Sequence, residues 1–315
     1  MKTQKIILLL FILFAIAVLL RDTYFKYYIR VFSWNIEFFG LINVNDNSST
    51  YYHTIAERIR YFNPDIICIQ EIVSYVGLRH LLSLLPEYTL YIDTNYKKDN
   101  TTFFNKHDYD SISDKTPQYK DSNMGFIGPM LGNCFLVKKT LRVKSFNVLH
   151  RRSIWLEYYD PYINEDVCIY NIHLPSDFSK NNSDVREKIL QKLHAHITHH
   201  EQKNVIIAGD FNANVYSNEI NIMRKNYSNA KYVVSNYPQK QSDVIGTNTS
   251  ITQYYIRDNN EYFHEFDHFL VTPNMKRRIR GMFTDVFFCA NNVGSMISST
   301  NSRLSDHCPI ILDIK

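Results

Sequence analysis

Six short stretches of the chain set carboxylates, amides or imidazoles directly beside an apolar run. Asn35 follows Val31-Phe32-Ser33-Trp34, and Gln70-Glu71 follow Ile66-Ile67-Cys68-Ile69. His173 follows Ile169-Tyr170-Asn171-Ile172, and Asp210 and Asn212 follow Val205-Ile206-Ile207-Ala208-Gly209. Asp267-His268 precede Phe269-Leu270-Val271, and Ser305-Asp306-His307 precede Cys308-Pro309-Ile310-Ile311-Leu312. Such groups are expensive to bury unpaired, so their recurrence at the ends of core-like runs points to convergence on one site. Their types suit phosphoryl chemistry. Glu71 and Asp306 are hard oxygen ligands matched to Mg2+, with Mn2+ as its substitute. Asp210 can accept a proton from an attacking water, and two histidines can stabilise charge on a pentacovalent phosphorus. The chain has no H-E-x-x-H and no cysteine cluster, which puts zinc behind Mg2+. It also lacks a serine nucleophile elbow and a Gly-rich phosphate loop, which argues against serine hydrolases and P-loop enzymes.

Each signal has a plainer reading when taken alone. Asp210-Phe211-Asn212 is also a turn sequence, and Asn35 also suits a strand end. Ser305-Asp306-His307 also reads as a helix cap or loop network. His194, His196, His199, His200 and His264 read as surface or structural residues, and Lys276, Arg277, Arg278 and Arg280 as a solvated face.

The apolar runs supply the elements that would hold the site. Ile29 to Phe39 reads as a buried strand, and Thr54 to Tyr61 has helical spacing that Asn63-Pro64 stops before a strand at Asp65 to Gln70. Further strands are expected at Asn133–Lys138, Ile154–Tyr159, Val167–His173, Val205–Asp210, Phe266–Val271 and Cys308–Leu312. Ile189, Leu193 and Ile197 recur every fourth residue and predict a helix over Val185 to His200. Thr94 to Gly128 is polar and reads as a long irregular surface excursion. Strands and helices mixed this way give an α/β protein, two sheets packed face to face with helices outside. No linker or repeat interrupts residues 29–315, which read as one domain.

Ahead of that domain, residues 1–28 begin with a basic leader and an unbroken apolar run from Ile6 to Leu20. The run is short for a membrane span, yet it suits a signal peptide, and Ala15-Ile16-Ala17 offers a cleavage site. Arg21, Lys26 and Arg30, with Tyr24, Tyr27 and Tyr28, fit a membrane interface instead. Residues 6–20 are therefore expected to meet a membrane, leaving the domain either anchored or secreted. Five Asn-x-Ser/Thr sequons decide nothing in a chain this rich in Asn, Ser and Thr, where about four arise by chance. The five cysteines form no CxxC pair and read as core hydrophobes, with one or two disulfides left open. Hydrophobic residues make up 45% of the chain, enough for a large core, and the net charge of +4 does not by itself imply a polyanionic partner.

In order along the chain, Trp34-Asn35-Ile36-Glu37, Ile69-Gln70-Glu71, Asn171-Ile172-His173-Leu174, Gly209-Asp210-Phe211-Asn212, Phe266-Asp267-His268-Phe269 and Ser305-Asp306-His307 resemble the motifs of the endonuclease/exonuclease/phosphatase superfamily. The resemblance runs from Asn35 to His307 and implies a four-layered α/β/β/α sandwich of two mixed sheets, with the site at the edge between them. It implies Glu71 as principal metal ligand, with Asn35 and Asp306 completing or orienting the metal site. It further implies Asp210 as the group that activates water, Asn212 as an orienting amide, and His307 as the imidazole on phosphoryl oxygen, held by Asp267. His173 resembles the superfamily's second active-site histidine. Gly132-Asn133-Cys134-Phe135-Leu136 resembles a further superfamily strand, after which an arginine meets the phosphate. Arg152 is the better candidate for it and Arg151 the alternative.

The motifs are most similar to those of the deoxyribonuclease I branch, so nucleic acid, DNA first, is the expected substrate. That branch's disulfide spacings are missing. The alternatives are a lipid phosphodiesterase of the neutral sphingomyelinase kind, or a phosphoinositide phosphatase, held near a bilayer by residues 6–20. On the lipid reading, the apolar stretch Met124 to Leu131 either dips into the membrane or folds as a packed turn. A catalytically silent binding module on the same fold is disfavoured, because every expected residue is present.

Overall fold

The computed structural model describes residues 28–39, 48–72, 75–92, 118–121, 126–129, 132–150, 153–176, 182–214, 217–229, 253–257, 260–285, 305 and 307–315. In chain order these form β1 (Ile29–Phe39), α1 (Ser48–Phe62), β2 (Ile66–Ile72), α2 (Tyr75–Leu84), β3 (Tyr88–Ile92), β4 (Gln118–Asp121), β5 (Phe126–Pro129), β6 (Gly132–Lys138) and β7 (Arg142–His150). There follow β8 (Ser153–Asp160), β9 (Glu165–His173), α3 (Asn182–His199), β10 (Val205–Asp210), α4 (Asn218–Arg224) and β11 (Ser228–Asn229). The last are β12 (Gln253–Arg257), β13 (Asn260–His264), β14 (Asp267–Val271), α5 (Pro273–Lys276), β15 (Ile279–Thr284) and β16 (Ile310–Ile314).

Two six-stranded sheets carry the architecture, in the orders β15-β16-β1-β2-β6-β3 and β11-β14-β10-β9-β8-β7. Both are mixed: β1 with β2 and β9 with β10 run parallel, and the other neighbours are antiparallel. Central strands are buried on both faces, which is why they read as continuous apolar runs. Side chains alternate between the faces with period two. Val31, Cys68 and Phe135 of the first sheet thus share one core with Leu156, Ile169, Ala208 and Phe269 of the second. The alternate positions Phe32, Trp34, Ile67 and Ile69 pack outward against Ile55, Ile59, Leu78 and Leu81 of α1 and α2. Across the molecule, Tyr170, Ile172 and Ile207 pack outward against Ile189 and Leu193 of α3 and Ile220 and Met223 of α4. Four layers result, as the sequence resemblance implies.

The same parity locates the site. Continuing each inward-facing series one or two steps along its strand reaches Asn35, Gln70, Asn133, Asn171, His173, Asp210 and Asp267, all buried. Apolar side chains therefore give way to polar ones on the inter-sheet face at one end of the sandwich. The register aligns them: Asn35 lies opposite Gln70, and Asp210 opposite both His173 and Asp267.

Several expectations need correction. The helix read as Thr54 to Tyr61 begins at Ser48, and Asn63 ends it in a left-handed conformation, φ 50°, with its N–H on the Ile59 carbonyl at 2.8 Å. The excursion from Thr94 to Gly128 is not wholly irregular, because β4 and β5 pair as an antiparallel ribbon. The apolar stretch from Met124 accordingly contains a strand. The last strand falls two residues beyond the expected Cys308–Leu312. The sequence signals none of the helices α2, α4 and α5 and none of the strands β3, β7, β11, β12, β13 and β15. Among the described residues no helix is long and apolar enough to cross a membrane, and residues 6–20 lie outside them.

Gly209 sets how closely β9 and β10 approach beside the site. Its φ is 137°, and a Cβ there would lie 1.9 Å from the Ile172 carbonyl oxygen. That oxygen belongs to a strand backbone, which cannot swing aside as a side chain can. Gly209→Ala is therefore expected to cost more than about 3 kcal/mol in chemical denaturation. A loss below about 1 kcal/mol would show that the two strands part without penalty.

Candidate active site

Asn35 is the junction of the cluster. Its Nδ2 donates to Glu71 Oε1 at 3.1 Å and to Asp210 Oδ2 at 2.9 Å, and lies 3.5 Å from His307 Nε2. One amide from β1 thus touches carboxylates carried by both sheets. Its own carbonyl oxygen, Oδ1, is buried without a hydrogen-bond partner.

Glu71 reaches this amide by a backbone device. By strand parity residue 71 belongs on the outward face of β2, yet its φ is +59° and the pairing with β6 slips between Ile69 and Ile72. This bulge turns its side chain back toward the inter-sheet face. His173, at the end of β9, completes the corner, with Nε2 3.5 Å from Glu71 Oε1 and 3.7 Å from Asp210 Oδ2.

Asp210 ends β10 at 1% exposure. Its Oδ1 accepts the Asn212 backbone N–H at 2.7 Å, and Oδ2 accepts from Asn212 Nδ2 at 3.0 Å. Asn212 holds a left-handed backbone, φ 46°, and its amide also donates to the Leu174 carbonyl at 2.8 Å. Burial pushes the Asp210 carboxyl up to about 7, the nearby Asp267 and Glu71 push the same way, and His307 and the Asn212 N–H oppose them. A carboxyl poised near neutrality suits a general base.

His307 is held on three sides. Its Nδ1 meets Asp267 Oδ2 at 2.7 Å, its backbone N–H donates to Ser305 Oγ at 2.9 Å, and Trp34 Nε1 donates to its carbonyl at 3.0 Å. Ser305 Oγ in turn donates to the Asn35 carbonyl at 2.6 Å, which ties the loop to β1. Asp267 fixes Nδ1 as the protonated nitrogen and leaves Nε2 toward the site, 3.8 Å from Asp210 Oδ2. The neighbouring His268 plays no such part. It is fully buried with Nε2 3.0 Å from the Ala213 carbonyl, and burial lowers its pKa and keeps it neutral.

The structure thus brings together Asn35, Glu71, His173, Asp210, Asn212, Asp267 and His307. Asp306 and Arg152, with the alternative Arg151, lie outside the described residues. Cys308, beside His307, is disulfide-bonded, a pairing the sequence left open, while Cys68, Cys134 and Cys168 are free and buried, as core hydrophobes should be. The motifs did not assign a role to the layer behind the site. Gln70 Nε2 donates to Asn171 Oδ1 at 2.7 Å, and Asn171 Nδ2 donates to the Ile69 and Cys134 carbonyls at 3.1 and 2.8 Å. The available signal was an amide at the inward parity position of each strand.

The donor set fits a hard divalent cation. Glu71, His173 and Asp210 offer ligand atoms within 4.8 Å of one another, as do Asp210, Asp267 and His307. The orphaned Asn35 Oδ1 is a further neutral oxygen of the kind Mg2+ accepts.

A two-sheet α/β sandwich with carboxylates, amides and imidazoles converging at its inter-sheet edge defines a class of metal-assisted phosphoester hydrolases. The model of the endonuclease/exonuclease/phosphatase family matches residues 32–307, and the chain belongs to that family. Its members are hydrolases of phosphoester bonds that generally use divalent metal ions. No curated protein sequence matches the chain. Among solved structures, TDP2 from C. elegans is 18% identical with a TM-score of 0.55, covering 91% of this chain and 75% of its own. D. rerio TDP2 complexed with single-strand DNA product is 14% identical at 0.58, covering 91% and 99%. An endonuclease/exonuclease/phosphatase from Bacteroides vulgatus is 14% identical at 0.57, covering 91% and 98%. At such identities the likeness is one of fold.

The raised Asp210 pKa has a consequence for stability. The carboxyl ordinarily titrates near 3.8, so between there and about 7 the folded, metal-free chain holds a proton that the unfolded chain has released. That contribution is complete below the lower value and is lost as pH rises through the upper one. In EDTA, wild-type stability relative to Asp210→Asn is expected to fall as pH rises from 4 to 7. Parallel curves for the two proteins in thermal denaturation would remove the assignment.

Proposed function

We propose that the chain is a divalent-metal-dependent phosphodiesterase, with Asp210 as the base that activates water and nucleic acid, DNA first, as its substrate. The observation that carries this reading is the Asn35 amide, which joins Glu71 and Asp210 across the two sheets within reach of His307. Glu71 and Asn35 Oδ1, with Asp306, are assigned to hold Mg2+, for which Mn2+ can substitute. When bound, the ion supplies Lewis-acid neutralisation of charge on the phosphoryl oxygens.

The remaining work falls to side chains. Asp210 takes the proton as the water oxygen forms its bond to phosphorus and the bond to the leaving oxygen breaks. Asn212, tied to Asp210 and to the Leu174 carbonyl, orients the water or the phosphate. His307, held by Asp267, and His173 are assigned to the phosphoryl oxygens, whose developing charge an imidazolium N–H would meet as donor. Arg152 is assigned to the phosphate, whose geometry a guanidinium matches.

Support for nucleic acid over lipid comes from the motif resemblance to the deoxyribonuclease I branch. The nucleic-acid reading is further supported by D. rerio TDP2, a protein of this fold complexed with single-strand DNA product. Residues 6–20 are assigned to anchoring or exporting the domain of residues 29–315.

The test is hydrolysis of plasmid DNA, RNA and sphingomyelin vesicles by the full chain in mild detergent, with Mg2+ and with EDTA. Metal-dependent nicking of DNA is expected. Asp210→Ala, Glu71→Ala and His307→Ala should each lower turnover by about 10²–10⁴-fold. Circular dichroism of each variant should match that of the wild type. Phosphocholine release with DNA untouched would move the assignment to lipid, and near-normal turnover by folded His307→Ala would remove that residue from the mechanism.

A further inference from the structure

The last turn of α3 and the residue that follows it carry three imidazoles that the inter-sheet site does not use: His196, His199 and His200. Residues four apart on a helix share a face, and the turn is intact here, with the His200 N–H on the His196 carbonyl at 3.1 Å. The His196 and His200 rings come within 4.4 Å, centroid to centroid, at an interplanar angle of 53°. His199 lies 5.1 Å from His200.

Protonated histidines near a helix C-terminus would be a sufficient account, because the terminal carbonyls favour cations. Two observations oppose it. First, His196 is half-buried against Trp155 and Tyr170, with ring centroids 5.5 and 6.1 Å away, and burial together with His200 and His199 lowers its pKa. It is therefore held neutral, the form that ligates metals. Second, His196 Nε2 is buried and has no hydrogen-bond partner. A buried ring nitrogen left unpaired is uncommon enough to require an explanation.

We propose that His196 and His200 form a second metal site, on the outer face of α3, that takes a borderline transition-metal ion such as Zn2+, Cu2+ or Ni2+. Two imidazoles sharing one ion through bonds of about 2.0–2.1 Å set their ring centroids roughly 5 Å apart. The observed spacing is near that value before any ligand is bound. Imidazole pairs suit these metals, whereas the carboxylate and amide oxygens between the sheets suit Mg2+. The two sites thus differ in ligand chemistry as well as in place. Water completes the coordination on the exposed side, where His200 lies. The bound ion would tie the end of α3 together against Trp155 of β8 and Tyr170 of β9.

Equilibrium dialysis of the full chain against micromolar Zn2+, with millimolar Mg2+ filling the inter-sheet site, tests this. Wild type should retain one more equivalent of Zn2+ than His200→Gln, with affinity at least tenfold lower in the variant. His200 is exposed, so the variant should fold and keep its Mg2+-supported hydrolysis. His199→Gln should retain the ion. Equal Zn2+ retention by wild type and His200→Gln would overturn the proposal. So would loss of the same equivalent in Glu71→Gln with retention in His200→Gln, which would place the ion between the sheets. Zn2+ retention is read without reference to turnover, so this outcome and that of the hydrolysis assay are independent.

Discussion

Two carboxylates from different sheets meet at one amide, and the cost of keeping them there shapes the molecule around them. Asp210 is withdrawn from water and Glu71 largely so, and burial together with the Glu71 charge raises the cost of ionising Asp210. In the metal-free chain the Asn35 and Asn212 N–H groups and the imidazoles of His173 and His307 face that charge. Burial outweighs them and raises the pKa of Asp210. A divalent cation would reverse the balance, because groups that repel each other become common ligands. The site is thus unfavourable alone and favourable when loaded, an arrangement useful only if its geometry survives without the ion.

What preserves the geometry is a set of neutral hydrogen bonds that do not depend on metal. Directly behind Glu71, Gln70 and Asn171 bond across the gap between the sheets, and Asn171 also caps carbonyls of β2 and β6. These amides fix the separation of the sheets at the end where apolar packing stops. Beyond them, Trp34 and Ser305 hold the His307 backbone. The buried ion pair of Arg186 with Glu219, at 2.6 Å, ties α3 to α4, and Arg186 also donates to the Pro175 carbonyl at 3.0 Å, two residues past His173. A buried pair of this kind adds little net stability, but losing one partner costs several kcal/mol (roughly 3–5). Its consequence here is to hold the segments that follow β9 and β10.

The parts of this arrangement that were legible in the sequence follow from burial on both faces of the central strands. Double burial makes β1, β2, β9 and β10 continuous apolar runs, and the polar residue that ends each run is conspicuous by contrast. The strand at Val205–Asp210 was read to the residue for that reason. The edge strand β7 gave no such contrast, since its half-exposed residues mix apolar and polar types in the manner of a surface segment. β15 was hidden by Arg280 within a basic stretch, and α4 is too short for a period to register. The bulge at Glu71 was illegible for a different reason. Strand parity alone sends that side chain outward, and only a left-handed φ on a non-glycine residue brings it in. Sequence resemblance marked Glu71 as a ligand, whereas geometry explains how it becomes one.

Catalysis and substrate choice are separated in this fold by the same topology. Glu71, His173, Asp210, Asn212 and Asp267 sit on a strand end or within two residues of one, and Asn35 lies within β1, so the ladders of two sheets fix their positions. Connections between strands vary more freely than the elements they join. Solved structures with 14–18% identity still cover 91–92% of this chain at TM-scores of 0.55–0.58, so the strand framework tolerates nearly complete replacement of sequence. It follows that a substitution at Asp210 or His307 should act alike on every substrate. One in the connections should change the ratio between substrates and leave the chemical step intact.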